Sequence, residues 1–147
     1  MPGHATFRIG EADWQVDQPA ILIVRRAVFV REQGIPESLE LDGLDSTCRH
    51  VLARSTALEP IGTGRLQADG RIGRMAVLEA WRGQGVGKAV LAALIQLAVQ
   101  QQQRLVYLHA QAGAVEFYLQ AGFKTVGQPF IEAGIEHIHL EKPLHCT

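Results

Sequence analysis

The feature of this 147-residue chain that most restricts its fold is a glycine-rich turn placed before a long amphipathic helix. The turn reads Arg82-Gly83-Gln84-Gly85-Val86-Gly87-Lys88. It follows a predicted strand at 71–77 and opens a predicted helix at about 86–102. The first N–H groups of a helix have no intrahelical partners and carry partial positive charge, so anions bind there. Because glycine lets a ligand approach the backbone and two cations flank the turn, the segment predicts a phosphate-binding site.

Two common nucleotide-binding motifs do not fit this spacing. A P-loop ending at Gly87-Lys88 would need glycine where Arg82 stands, and Ala89 replaces its hydroxyl residue. A dinucleotide fingerprint starting at Gly83 would need glycine at Lys88, and the preceding strands are predicted to form a hairpin rather than a βαβ unit. A loop that only starts a helix is the simpler alternative, but three alternating glycines between two cations exceed what a helix cap needs.

The composition is that of one globular domain over residues 1–147. Apolar residues make up 47% of the chain, charged residues 20%, and the net charge is −1, which indicates a packed core and disfavours disorder or nucleic-acid binding. Apolar runs are too short to cross a membrane and the N-terminus lacks a signal-peptide pattern. We therefore predict a soluble cytoplasmic protein without nucleic-acid or membrane partners. Cys48 and Cys146 are too few for a disulfide framework and are predicted to be reduced.

The order of predicted elements indicates an α/β fold with a mixed, mostly antiparallel central sheet flanked by helices. Asp17 and Pro19 predict the start of a first helix and Gly34 with Pro36 its end, although the β-branched run 21–30 also permits a strand. An acidic loop is predicted at 35–46, and Asp69-Gly70 predicts a hairpin turn. Strands are predicted at 6–9, 50–54, 61–66, 71–77, 105–110, 123–126 and 135–140, and later helices at about 86–102 and 112–120.

The spacing Arg82-x-x-Gly85-x-Gly87 resembles the Gln/Arg-x-x-Gly-x-Gly/Ala signature of the GNAT N-acetyltransferase superfamily. The strand before it and the later Phe117-Tyr118-x-x-x-Gly122-Phe123 resemble that family too. Within the superfamily the chain is similar to the ElaA-like branch. The residues that carry this similarity are Arg26-Ala27-Val28-Phe29-Val30-Arg31-Glu32-Gln33, Asp42 and Asp45 before His50, Ala110-Gln111-Ala112, and Gly134-Ile135-Glu136-His137.

The resemblance implies a division of labour around acetyl-CoA. Backbone amides from Arg82 to Lys88 would hold the pyrophosphate, and the exposed strand edge at Met75, Ala76 and Val77 would pair with pantetheine. Splayed strands would leave a gap for the thioester. Tyr118 matches the family's general acid for the departing thiolate, with core packing as its ordinary alternative. Gln111 stands near the position of a common asparagine, so its contact with pantetheine departs from the family pattern.

The residues that would serve the acceptor are less specific. Glu32, His109 and His137 are candidates for the general base or for acceptor binding, directly or through water, and each has an ordinary structural alternative. Arg74 could contact an acidic acceptor or pair with a core carboxylate. The acids of the 35–46 loop could hold a cationic amine, although solvated turn acids are the commoner explanation.

The function predicted from the sequence is direct transfer of an acetyl group from acetyl-CoA to a primary amine, carried by a small molecule or a peptide. The alternative is a non-catalytic module that binds or senses acyl-CoA. The resemblance also leaves a homodimer open. No metal site is predicted, because His137-x-His139 with His145 and Cys146 in the tail would need three or four converging ligands.

Overall fold

The computed structural model of the chain describes residues 6–145, and Cys146 lies outside them. Its first sheet contains β1 (Phe7–Ala12), β2 (Arg49–Ser55), β3 (Pro60–Leu66) and β4 (Ile72–Val77), in that order and antiparallel throughout. The turn between β3 and β4 is the predicted Asp69-Gly70 turn, and Gly70 has the positive φ of +96° that such a turn requires.

The second sheet has the order β5–β7–β6, built from β5 (Leu105–Gln111), β6 (Lys124–Glu132) and β7 (Ile135–Pro143). One parallel bridge, between Arg71 and Tyr107, joins it to β4. Beyond that bridge β4 and β5 diverge. The prediction of a mixed, mostly antiparallel sheet flanked by helices is confirmed.

The last two strands are longer than predicted. We expected β6 to end at Val126, but the strand continues through Gly127 and Pro129 to Glu132. A shift of register between Val126 and Phe130 absorbs the extra residues, with Gly127 at φ +79°. A bulge of this kind lets a strand carry glycine and proline without ending.

The first helix, α1 (Trp14–Arg25), starts three residues before the predicted Asp17. Asp13 caps it, because its carboxylate accepts from the Gln15 amide at 2.9 Å, while Asp17 accepts from the Asp13 amide at 2.9 Å. Pro19 therefore lies inside the helix and is exposed there. The prediction took Pro19 as a first-turn residue and missed the earlier cap.

The chain continues from α1 into a π-helical segment, Arg26–Glu32, in which the Gln33 amide bonds the Val28 carbonyl at 3.1 Å. The expected loop at 35–46 contains two short helical turns, α2 (Glu37–Glu40) and a 3₁₀ turn at Asp45–Thr47. A π-helical turn changes the direction in which its side chains point. Here it directs Phe29 toward the space between the sheets and Glu32 toward the glycine-rich turn.

Two more helices follow, α3 (Val86–Gln100) and α4 (Val115–Gln120), the latter after a 3₁₀ turn at Ala112–Ala114. Side chains of α1 and α3 pack on opposite faces of the first sheet: Leu52 of β2 contacts the α1 side, and its neighbours Val51 and Ala53 the α3 side.

Glycines of β3 bring α3 close to the sheet. A Cβ at Gly62 would lie 2.7 Å from Val86 Cγ1, and one at Gly64 would lie 2.7 Å from Leu94 Cδ1. This close packing positions the first turn of α3 against the end of β4. Within residues 6–145, none of the helices has the length and apolar character needed to cross a bilayer.

Candidate active site

The glycine-rich turn is open to solvent in the structure, apart from the buried Val86. Gly83 and Gly85 have φ of +76° and +88°, and a Cβ built on either would meet no atom within 4 Å. The first backbone bond of α3 runs from the Ala89 amide to the Gly85 carbonyl at 3.0 Å, and no side chain caps the helix. The amides of Val86, Gly87 and Lys88 precede that bond, so they point out of the helix end.

The turn lies directly beside the end of β4 and the start of α4. A Cβ at Gly87 would be 3.6 Å from both Val77 Cγ2 and Phe117 Cζ. Arg82 Nε donates to the Val77 carbonyl at 3.0 Å. Three elements predicted separately from the sequence therefore converge at one end of the first sheet.

Arg82 is also paired with Glu32 of the π-helical segment. Its Nη2 lies 2.8 Å from each carboxylate oxygen, and both side chains are partly exposed. The structure thus places Glu32 beside the turn rather than in the space between the sheets. Lys88, the other cation of the turn, is exposed.

The outer edge of β4 presents the N–H of Val77 for hydrogen bonding, whereas the Val77 C=O accepts from Arg82 Nε. The Leu78 amide donates to the Ile61 carbonyl at 2.9 Å. In an antiparallel ladder such bonded pairs alternate with unbonded ones, so the N–H and C=O of Val77 face away from β3, and those of Ala76 face toward it.

A bulge interrupts β4 before this edge. Arg74 has a φ of +49°, a left-handed conformation that is uncommon for a residue with a side chain. The pairing register with β3 shifts at the same place. The guanidinium of Arg74 donates to the carbonyls of Glu40 (3.1 Å) and Leu39 (3.4 Å) and to Asp42 Oδ2 (3.3 Å). Of the two roles considered for Arg74, pairing with a core carboxylate is present as a 3.7 Å ion pair with the buried Glu40.

The divergence of β4 and β5 creates a cleft of about 620 Å³. It is bounded by residues of both strands, by the π-helical segment and by α4. Six residues that the sequence analysis singled out line it: Arg74, Met75, His109, Gln111, Tyr118 and His137. Within residues 6–145, the residues that line the cleft do not include Glu32, Ala76, Val77 or the glycine-rich turn. Glu32, Val77 and the turn lie together beside the end of β4, where Arg82 bonds both of the other residues.

Tyr118 of α4 reaches this cleft with its phenol. The hydroxyl donates to Met75 Sδ at 3.6 Å, and the ring packs edge-on against Phe117 and Phe123. Burial raises the pKa of Tyr118 to about 12. The phenol is therefore protonated near neutral pH and is a proton donor rather than a base.

Gln111 lies at the end of β5, opposite the bulged part of β4. Its Nε2 donates to Gln33 Oε1 at 3.5 Å, which links β5 to the residue that follows the π-helical segment. Both glutamines line the cleft.

The acids of the 35–46 loop have a structural role that the sequence interpretation missed. Glu40 and Asp45 are 2% and 5% exposed, so they are not solvated turn acids. The Asp45 carboxylate lies 2.8 Å from Arg25 and 2.9 Å from Arg65, and the shift of the Asp45 pKa below its usual value reflects these bonds overcoming burial. The whole network consists of Arg25, Arg65, Arg74, Glu40, Asp42 and Asp45.

Two histidines proposed from the sequence, His109 and His137, line the cleft on the side of the second sheet. His137 Nδ1 donates to the Ile135 carbonyl at 2.8 Å. His109 Nδ1 lies 3.1 Å from Glu132 Oε2. Glu132 was not a sequence candidate, because the predicted β6 stopped six residues before it.

Metal binding has no visible basis in the part of the chain that the structure describes: no three histidine, cysteine, aspartate or glutamate residues converge there. Cys48 is a partly buried free thiol, and burial raises its pKa.

The family is decided by a match that covers most of the chain. Residues 19–144 match the model of the Acetyltransferase (GNAT) domain. The chain belongs to the GNAT acetyltransferase family. It is accordingly an acyltransferase enzyme.

Relatives in the GNAT family match both the sequence and the fold. Escherichia coli ElaA is 34% identical over 131 residues, which cover 84% of this chain and 85% of ElaA. The crystal structure of E. coli ElaA superimposes with a TM-score of 0.82 over 93% of this chain and 99% of that one. An acyl-CoA N-acyltransferase from Pseudomonas aeruginosa gives the same TM-score at 29% identity, over 93% and 99% of the two chains.

A more distant GNAT structure shares the fold alone. It is a GNAT family acetyltransferase from Elizabethkingia anophelis with acetyl-CoA bound. Its TM-score is 0.66 at 20% identity, over 94% of this chain and 98% of that one. The similarity to the ElaA-like branch that the motifs indicated is confirmed by these comparisons.

Proposed function

We propose that this GNAT enzyme transfers the acetyl group of acetyl-CoA directly to a primary amine. The observation that carries the proposal is the continuity of the open helix end, the free edge of β4 and the cleft that contains Tyr118. A single elongated thioester can occupy all three. The E. anophelis family member with acetyl-CoA bound supports the same choice of donor.

The turn fits a pyrophosphate in shape and in charge. The amides from Gly83 to Lys88 would hold its oxygens, since glycines at 83, 85 and 87 leave the approach clear. Lys88 and Arg82 would supply positive charge, and for Arg82 this requires its bond with Glu32 to rearrange or to be shared. The fit of the pyrophosphate therefore depends on the backbone conformation of the turn at Gly83 and Gly85 and on these two cations.

The pantetheine arm would lie along β4. The outward N–H of Val77 can donate to it as to an added strand, and the Val77 C=O can accept from it where Arg82 Nε releases or shares that oxygen, as in other cases of β-augmentation. Ala76 supports this edge by pairing with Thr63 of β3. Met75 would lie beside the thioester, and Gln111 would reach the arm from β5.

Acetyl-CoA supplies an activated acetyl group whose leaving group is a thiolate. Tyr118 donates the proton that the thiolate needs, which its raised pKa permits over the whole neutral range. The sulfur of Met75 at 3.6 Å holds the phenol toward the cleft between β4 and β5. Met75 is therefore a positioning residue for this proton donor.

The acceptor would enter the cleft from the side of the second sheet. His137 is the predicted acceptor contact that lines this side. The other two predicted acceptor contacts, Glu32 and Arg74, are engaged in ion pairs. We propose that they do not touch the acceptor and instead support the site, Glu32 by bonding the glycine-rich turn and Arg74 by bonding the acidic loop at the β4 bulge. The primary amine itself, the cytoplasmic location and the homodimer stay predictions.

The test combines binding and turnover. Calorimetry with acetyl-CoA should show binding, and a panel of polyamines, lysine peptides, amino-terminal peptides, amino sugars and arylalkylamines should contain one acceptor that releases free thiol. Binding without thiol release for any amine would support a non-catalytic sensing module instead. If millimolar acetyl-CoA produces neither binding heat nor a shift of the melting temperature, acetyl-CoA is not the acetyl donor.

Gly85 offers a matched pair of variants for the phosphate site. Gly85→Glu and Gly85→Gln carry the same backbone strain at φ +88° and nearly the same bulk. The carboxylate adds a negative charge among the amides, so Gly85→Glu should bind acetyl-CoA at least about tenfold more weakly than Gly85→Gln. Equal affinities would mean that no phosphate binds at this turn.

A further inference from the structure

Three side chains that the transfer chemistry above does not use meet at the base of the cleft. They are His109 of β5, Glu132 at the end of β6 and Arg71 just before β4. Arg71 Nη2 lies 3.1 Å from Glu132 Oε1, and His109 Nδ1 lies 3.1 Å from both Arg71 Nη2 and Glu132 Oε2. All three line the same cleft as Met75 and Tyr118.

The chemistry of these groups restricts the histidine. A guanidinium only donates hydrogen bonds and an ionised carboxylate only accepts them. Nδ1 lies 3.1 Å from both groups, so it accepts from Arg71 when it carries the lone pair and donates to Glu132 when it carries the proton. Arg71 Nη2 already donates to Glu132 Oε1, which favours the second tautomer, with the proton on Nδ1. Nε2 then carries a lone pair. Within residues 6–145 no hydrogen-bond partner contacts Nε2, and the side chain is 19% exposed in the cleft.

The surroundings of His109 keep it neutral but able to take up a proton. Burial and Arg71 lower its pKa, while Glu132 raises it again. The ring of His139 on β7 lies 5.2 Å away, and His139 is itself bonded to Glu141 at 2.9 Å. The charged and titratable groups facing His109 from the start of β4, from β6 and from β7 are thus Arg71, which directly precedes β4, Glu132 and His139.

A primary amine is mostly an ammonium ion at neutral pH and has no lone pair with which to attack. We propose that His109 Nε2 removes the first proton of the acceptor ammonium, and that Glu132 and Arg71 are positioning residues that hold the reactive tautomer. This role rests on the proposed acetyl transfer. It assigns to this enzyme the general base that its sequence leaves open among three residues.

The protons balance through His109 and Tyr118. The amine nitrogen, freed of one proton, bonds to the acetyl carbon, the C–S bond breaks, and the sulfur takes the Tyr118 proton. The second amine proton replaces the one that Tyr118 lost, and His109 releases its own to water. One ammonium and one thioester therefore yield one amide, one thiol and one free proton.

The first test reads the tautomer directly and needs no acceptor. In ¹⁵N-labelled protein, His109 can be assigned by the loss of its signals in His109→Gln. Long-range ¹H–¹⁵N spectra above its pKa should show Nδ1 protonated and Nε2 unprotonated. A proton on Nε2 would overturn the proposal, whatever the activity of the enzyme.

The second test is kinetic, with the fastest amine of the panel as the probe. His109→Gln should lower kcat/KM at pH 7 by about 10²-fold or more, and the loss should shrink as the pH approaches the amine's own pKa, because the amine then arrives neutral. His145→Gln, which removes an exposed histidine that does not line the cleft, should stay within about twofold of the parent. A His109→Gln loss that is independent of pH would contradict a base.

The positioning residues should shift the acid limb of the kcat/KM profile in opposite directions. Glu132 raises the pKa of His109 and Arg71 lowers it. Glu132→Gln should therefore move the limb to lower pH and Arg71→Met to higher pH, each by up to about one pH unit. Loss of structure alone does not produce opposite shifts, so unshifted or parallel limbs would refute the assignment.

These outcomes are separable from those of the proposed function. If the parent binds acetyl-CoA but no amine releases thiol, acetyl transfer fails while the tautomer measurement still decides the state of His109. If the parent releases thiol and His109→Gln does so equally fast at pH 7, the base fails while acetyl transfer stands.

Discussion

Arg82 Nη2 lies 2.8 Å from both carboxylate oxygens of Glu32. This contact joins the first cation of the glycine-rich turn to the π-helical segment, fifty positions earlier in the chain. The pair neutralises part of the positive charge that the turn would present to a phosphate. Because 44% of the Arg82 side chain and 33% of that of Glu32 are exposed, the pair is worth about 0–1 kcal/mol.

Replacing Glu32 should therefore strengthen donor binding. In Glu32→Gln the full charge of Arg82 becomes available to a pyrophosphate, so the Kd for acetyl-CoA should fall by up to about fivefold. The dependence of Kd on salt should become steeper, because more of the binding energy is electrostatic. Calorimetry at two ionic strengths measures both effects.

Glu37→Gln is the control for this change. It removes one negative charge from another exposed ion pair, Arg26–Glu37, at 3.0 Å. It should leave the Kd within error of the parent value. Weaker binding by Glu32→Gln would show that the pair holds the turn in shape rather than competing with the ligand.

Tyr118→Phe should separate chemistry from binding. The variant keeps the ring and its contacts with Phe117 and Phe123 but removes the proton donor. We expect an unchanged Kd for acetyl-CoA and a fall of about 10²-fold in kcat. Since burial raises the pKa of Tyr118 to about 12, the loss should be constant from pH 6 to 9.

Tyr107→Phe provides the matched control. Its phenol donates to Asp69 outside the cleft, and burial together with that bond raises its pKa to about 12 as well. Removing this hydroxyl should leave kcat within about twofold of the parent value. If Tyr118→Phe transfers acetyl as fast as the parent at every pH, the thiolate takes its proton from another source.

Local motifs could be predicted from the sequence because they depend on neighbouring residues. The glycines at 83, 85 and 87 indicate an open helix start through their spacing alone, and the helix that carries Tyr118 follows from its cap at Gly122. Strands β2, β3 and β4 were predicted to within one residue at each end, since each is a compact apolar run between turn signals, whereas β1 extends three residues past its predicted end. These features locate the turn and the cleft's proton donor.

Contacts across the sheet could not be predicted in the same way. Arg71, His109 and Glu132 meet only because a bridge joins β4 to β5 and a bulge prolongs β6 past Gly127 and Pro129. The pairing register between these distant strands cannot be deduced from the spacing of residues along the sequence.

The buried ionic network left one signal in the sequence. Arg25 lies in an apolar helix run and Arg65 in an apolar strand, and a buried arginine requires acidic partners. The loop acids at 40, 42 and 45 are those partners.

The bulge at Arg74 predicts an unusual order of stability. At φ +49° alanine is strained and glycine is not, so Arg74→Gly should be more stable than Arg74→Ala by about 0.5–1 kcal/mol. Both should be less stable than the parent, because the bonds to the Leu39 and Glu40 carbonyls are lost. Urea unfolding measures the order. The exposed Arg8 of β1, whose φ is not positive, is the control site, and there Arg8→Ala should be more stable than Arg8→Gly. If the alanine variant is the more stable one at both sites, the backbone at residue 74 is not strained.

Removing the charge at the centre of the buried network should cost far more than removing one at the surface. Asp45→Asn leaves Arg25 and Arg65 without their shared carboxylate, so the free energy of unfolding at pH 7 should fall by about 3–5 kcal/mol, against 1 kcal/mol or less for Glu37→Gln.

The pKa of Asp45 is lowered in the folded protein despite its burial, because both arginines bond it. The carboxylate therefore stabilises the fold fully above its unfolded pKa of about 3.9, and this contribution is lost as the pH falls through the lower folded value. Asparagine does not titrate, so the difference between parent and variant should be constant from pH 5 to 8 and narrow below about pH 4. A difference that stays constant down to pH 2 would mean that packing, rather than charge, accounts for the role of Asp45.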